Sequence, residues 1–365
     1  MGTPFKRLLL FPAVLFLLIG AAGWWLGRSG VHHAELPAER GPVKVPPATR
    51  VSHPQLPAPV IRQRPPRAPI ETVPPKMEGL LARLMKNPQA SLELTAGQLS
   101  AYLAQNRRNA ESLLAAFRLT GDLAFLREAA QQFPDNAAVQ TELALRSTDE
   151  TERRQAIDSM RRADPANALG DYISALNHLR HGRSEQAYDD LIAAAGKTQL
   201  GDYSVSAMQS AEEAYLVAGF SPVEAKAAAA MGLARPQIQP MRDLAQQLDD
   251  LHQGYLAAGD PSSAESIRQM GQSLGRQMQG MAGGIIDELS GIAIEKKFLD
   301  PAATSEQQQE FTQRYESIRR GIGDGEYGHL MQSMDDQEAI GYFDRVKFQG
   351  ESAAYQWLRE RRGIP

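Results

Sequence analysis

The chain has 365 residues, no cysteine and a formal charge of −4. Without cysteine it forms no disulfide, carries no thiolate nucleophile and builds no Cys-ligated zinc or iron–sulfur site. The small net charge conceals a division: residues 1–27 carry +2, residues 28–76 carry +5 and residues 77–365 carry −11. A chain of this length makes one large or two small domains.

Leu8 to Leu26 is an uncharged run of 19 residues preceded by Lys6 and Arg7. As a helix it would span roughly 28 Å, about the thickness of a bilayer core. A cleaved signal peptide with a small-residue site near Ala21–Gly23 is the alternative. Trp24, Trp25 and Leu26 extend the apolar run past that site and suit a membrane–water interface, which favours a retained anchor over residues 1–30. The basic N-terminus places the bulk of the chain on the non-cytoplasmic side, although Arg28, Arg40 and Lys44 flank the other end of the span. Gly23 and Gly27 have the GxxxG spacing through which two membrane helices can dimerise.

Residues 31–76 hold twelve prolines, and no Phe, Tyr or Trp occurs between Trp25 and Tyr102. Such a segment buries too little apolar surface to offset its ordering entropy and reads as a disordered, basic linker. Its reach lies between about 40 Å as a coil and about 140 Å as a polyproline rod. Arg62, Arg64 and Arg67 lack interleaved aromatics, so no base-stacking platform exists and nucleic acid is not an expected partner.

After Met77 the composition turns to Ala, Leu, Gln, Glu and Arg. Apolar residues recur at three and four, as in Leu113, Leu114, Phe117 and Leu119, or Tyr172, Leu176 and Leu179, which predicts helices. Breakers at Gly121, Pro134, Pro165, Gly182, Gly219, Gly259 and Pro301 predict short antiparallel helices, an all-α fold. Ser221-Pro222-Val223-Glu224 carries the parts of a capping box with Pro at the first helical position. A ladder recurs: Ala156, Met160 and Ala163 follow Pro134 at the same offsets as Ala187, Leu191 and Ala194 follow Pro165. A weaker ladder comprises Leu251, Tyr255, Gly259, Ala264 and Gly271. Two helices, Asp335–Lys347 and Glu351–Arg362, are expected near the end.

With these ladders the chain resembles tetratricopeptide (TPR) repeats over Gly121–Ala195, best at Asp164–Ala195, and more weakly over Leu248–Gly271. The resemblance implies a solenoid of antiparallel helix hairpins over residues 77–284 with a concave, partner-binding face. A helical region without repeat signature, 285–365, completes the chain. Asp171 stands where the family has an aromatic, and Ser174 and His178 replace a Leu and a Tyr. These three polar residues are the candidate partner contacts.

Catalytic and metal motifs fail in context. Gly271-Gln272-Ser273-Leu274-Gly275 fits the hydrolase pattern G-x-S-x-G but lies in a helical run where a strand is required. Gly196-Lys197-Thr198 lacks the earlier glycine of a phosphate-binding loop, and Gly321–Gly325 follows a helix and reads as a helix–helix loop. His178 and His181 have a metal-ligand spacing without a third ligand. Met270, Met278 and Met281 read as core before they read as an adaptable groove. No cofactor, metal or catalytic residue is expected. The sequence therefore points to a membrane-tethered helical-repeat scaffold binding a protein or peptide partner at the cell envelope. Its rivals are an envelope hydrolase acting on cell-wall glycan through Glu288, Glu295, Asp324 or Glu326, and an acidic domain folded back on its own basic linker.

Overall fold

A computed structural model describes residues 93–365, apart from 282, 301–302, 324–325 and 365. The membrane anchor, the GxxxG pair Gly23 and Gly27 and the Pro-rich linker lie outside the described residues. Among those described, no helix is long and apolar enough to cross a membrane. The described residues form 16 helices and no strand, so the all-α expectation holds.

Local signals set the helix limits. Helix α1 (Ala96–Gln105) starts with a Thr95–Gln98 capping box. Asn109, Asp122, Asn136, Asp149 and Asn167 each accept a backbone N–H at the start of α2 (Ala110–Thr120), α3 (Leu123–Gln132), α4 (Ala137–Arg146), α5 (Glu150–Ala163) and α6 (Ala168–Arg180). Then come α7 (Ser184–Ala195), α8 (Ser204–Val217), α9 (Pro222–Met231), α10 (Ile238–Ala257) and α11 (Pro261–Gln279). The expected Ser221–Glu224 box opens α9. Gly121 and Gly182 turn the chain between α2 and α3 and between α6 and α7 at φ of 73° and 68°, a region closed to most side chains.

Hairpins α2/α3, α4/α5 and α6/α7 stack in chain order. Most ladder residues lie inside: Ala156, Met160, Ala187, Leu191 and Ala194 are buried, while Ala163 is exposed. The next hairpin in sequence, α8/α9, does not join the row. Helix α8 returns to α1 and α2, where Tyr102 Oη donates to Ser210 O (3.0 Å) and Gln98 Nε2 to Ala218 O (2.9 Å). Hairpin α10/α11 continues the row instead, with α10 on α6 and α11 on α7. Its helices have 20 and 19 residues, well beyond the span of the weak ladder.

The return of α8 covers one face of the row. Arg118 of α2, Ala138, Thr141, Glu142 and Leu145 of α4, and Leu169 of α6 face Asp202–Ser204, Ala207 and the segment 233–237 across a cavity of about 20 Å³. That is room for about one water. First helices of all three hairpins line it and second helices do not.

The division at 284/285 falls inside a shared core. Helix α12 (Ile285–Lys297) packs on α11 along a seam of glycines. A Cβ on Gly275 would come within 2.5 Å of Glu295 N, and one on Gly291 within 2.7 Å of Gly275 O. Gly275 and Gly291 thus serve backbone approach, Gly271 makes room for the Phe298 ring, and Ser273 sits in mid-helix. Helix α13 (Ser305–Gly323) continues through part of the expected 321–325 loop. Helices α14 (Glu326–Gln332), α15 (Asp336–Gln349) and α16 (Glu351–Arg361) close on α8 and α9 around Tyr342, Phe343, Val346 and Leu358. The last two match the expected C-terminal helices to within two residues.

Candidate functional site

Asp171, Ser174 and His178 share one side of α6, as spacings of three and four dictate. Arg154, Asp158 and Arg161 make a matching stripe on α5, and Asp190 of α7 and Lys197 beyond it complete the group. Arg161 Nε donates to Asp171 Oδ1 (2.8 Å), and its other nitrogen pairs with Asp190 (2.7 Å). Lys197 binds the second Asp171 oxygen. Arg154 donates to Ser174 Oγ (2.9 Å) and lies 3.2 Å from His178 Nε2, while Asp158 pairs with Arg154 from one turn away.

The three candidate contacts are therefore brought together, and they point into the joint between α5, α6 and α7. Asp171 is 2% exposed and Ser174 0%. They bind the chain's own cations, with no free surface for a partner. Burial, then the Arg154 charge, hold His178 below the usual imidazole range, so it is neutral at pH 7. Its Nε2 takes the Arg154 N–H and stands 3.6 Å from Asp190, so it does not serve Ser174 as a base.

A second polar node was not foreseen. Arg235, between α9 and α10, pairs with Asp287 of α12 and lies 3.6 Å from Asp202 ahead of α8. Gln237 Nε2 also donates to Asp202 (2.9 Å). Asp287 Oδ2 accepts from Gly284 N (2.9 Å), whereas Oδ1 is buried without a hydrogen-bond partner. Glu351, the first residue of α16, accepts from Ile285 N (3.0 Å) and from Tyr327 Oη (2.6 Å), and Tyr327 meets Tyr342 at 3.1 Å. Asp287 is 1% exposed. Its burial, with Asp202 and Glu351 nearby and only partly offset by Arg235, raises its carboxyl to about 6. The one local signal was Asp287 three residues into a helix opened by Gly283-Gly284; its charged neighbours Arg235 and Glu351 are 52 and 64 residues distant.

The carboxylates considered for glycan hydrolysis are engaged where they are described. Glu288 accepts from Ser352, and Glu295 from Arg276 (2.9 Å) and Gln279 (2.8 Å). Asp324 and the side chain of Glu326 lie outside what is described. His181 turns to Asn177 O (2.7 Å), and no group of three His, Asp or Glu able to hold a metal forms among the described residues. Met270, Met278 and Met281 are buried in the row's core. No family model, curated protein or solved structure matches this chain.

Proposed function

We propose that the protein is a membrane-tethered, TPR-like helical-repeat scaffold that binds a protein or peptide partner at the cell envelope. The side-by-side row of hairpins α2/α3, α4/α5, α6/α7 and α10/α11 carries this reading. Such a row offers long helical surfaces, the kind that recognise other chains. The apolar span 8–26 supplies the tether and the Pro-rich segment the spacer. With Asp171, Ser174 and His178 committed to the α5–α6–α7 joint, their part is to hold the α6/α7 surface in shape. Exposed aliphatic side chains on that row, Ile192 of α7 (49%) and Leu256 of α10 (46%), are the better candidates for direct contact.

A photo-crosslinking residue placed at Ile192 of the full-length chain in intact cells should capture a discrete partner. Ile192→Glu should lose that partner while leaving the melting temperature unchanged. Unchanged recovery in both Ile192→Glu and the Asp171/Ser174/His178 triple Ala variant would remove the reading. Clearing of a cell-wall glycan zymogram by the full-length chain would replace it with the hydrolase.

A further inference from the structure

The node around Asp287 joins three parts of the fold. The turn from α11 to α12 is fastened to the start of α16 in both directions: Glu351 N donates to Gly283 O (3.1 Å), and Ile285 N donates to Glu351 Oε2 (3.0 Å). Arg235 fastens the same turn to the 233–237 segment that covers the row. The fit leaves no slack. A Cβ on Gly283 would come within 2.5 Å of Asp287 Oδ2, and one on Gly284 within 3.1 Å of both Arg235 and Glu351.

The charge around Asp287 does not balance. Asp202 faces it from ahead of α8, Arg235 from the α9–α10 segment and Glu351 from α16. Arg242 of α10 stands one turn along and gives its guanidinium to Ser290 Oγ (2.9 Å). Tyr327 of α14 donates to Glu351, with Tyr342 of α15 behind it, and Glu288 on α12 itself is held by Ser352. Two carboxylates, Asp287 and Asp202, thus share the Arg235 guanidinium, Glu351 adds a third negative charge beside Asp287 without reaching it, and Asp287 Oδ1 has no donor. A buried oxygen with no donor is costly as an anion and much less so with a proton.

We propose that this node is a proton-operated clasp: a proton taken from water onto Asp287 closes the start of α16 onto the α11–α12 turn, and its loss loosens that contact. The upward displacement of the Asp287 carboxyl to about 6 agrees in direction. The sign follows from linkage. A carboxyl that holds its proton more tightly in the closed form than in the open one favours closure at acid pH, and the advantage fades as pH rises through 6. From an ordinary value of 3.8 and a closed value near 6, closure weakens about tenfold between pH 5 and pH 7.5.

The test is amide hydrogen exchange of the full-length chain, with protection corrected for the intrinsic rate at each pH. Protection over 284–288 and 351–355 should fall about tenfold from pH 5 to pH 7.5 in the wild type and stay flat in Asp287→Asn. Glu351→Gln keeps the acceptor for Ile285 N while removing one negative neighbour, so its midpoint should move to lower pH. That variant and the wild type decide the matter if Asp287→Asn fails to fold. Protection independent of pH in the wild type, an undiminished response in Asp287→Asn, or a Glu351→Gln midpoint at or above the wild-type one would overturn the proposal.

Discussion

Gly275→Ala tests whether the α11–α12 seam depends on the absence of side chains. In an isolated helix the change favours folding by about 1 kcal/mol. Here the new methyl would sit 2.5 Å from Glu295 N and 2.8 Å from Glu295 Cα, both backbone atoms. Neither can rotate aside, so α12 must move off by roughly 1 Å, which also breaks the contacts of Gly271 with Phe298 and of Gly291 with Gly275 O. Overlap with backbone atoms puts the cost at the upper end of overpacking, about 3 kcal/mol, which leaves a net loss of about 2 kcal/mol. The melting temperature should then fall by about 4–8 °C. Circular dichroism of full-length wild type and variant measures it. Gly97→Ala is the control: Gly97 lies in α1 with nothing within 4 Å of an added Cβ, so this change should be neutral or stabilise by up to ~1 kcal/mol. A Gly275→Ala protein melting as high as Gly97→Ala would refute close backbone contact as the reason for the glycine.

Three further outcomes are expected. Asp171→Ala leaves Lys197 and half of Arg161 without their partner in a nearly closed joint and should cost about 3 kcal/mol in urea denaturation; a loss under about 1 kcal/mol would mean the network is solvated. His178 is held neutral by burial, so the unfolded chain binds its proton more readily; His178→Asn should therefore remove a component of wild-type stability that is present above pH 6.5 and declines on acidification, seen as convergence of the two urea midpoints toward pH 5. Ser221→Ala removes the capping-box hydroxyl of α9 and should lower stability by about 1 kcal/mol, whereas an unchanged urea midpoint would show the cap to be redundant.

The sequence made the helices legible because their limits are local. Asn and Asp caps, Gly121 and Gly182 in left-handed turns, and the Ser221–Glu224 box each act within four residues. The small-residue ladder was legible for the same reason, and one of its rungs, Gly271, leaves the space that Phe298 fills. The route of α8 was not. Tyr102 and Ser210 are 108 residues apart, and neither residue type announces the other. The polar substitutions on α6 were visible, but their meaning was not. Arg161 and Lys197, which neutralise Asp171, lie 10 and 26 residues away on other elements, so Asp171 looked available when considered alone. The Asp287 node was hidden for a related reason: Glu351 caps a helix that begins 66 residues earlier.

The covered face of the row has a consequence for affinity. A segment joined to its own binding surface by a short connection acts as a competitor at an effective concentration in the millimolar range. A ligand that needs the Thr141–Glu142 side of α4 must wait for residues 202–207 and 233–237 to leave, and its apparent dissociation constant rises in proportion to how seldom they do. A surface uncovered for only one part in a hundred of the time turns a ~10 nM site into a ~1 µM one. Sequence changes in α8 or in the 233–237 segment would thus tune binding at that face without touching a single residue of the ligand's own contact surface.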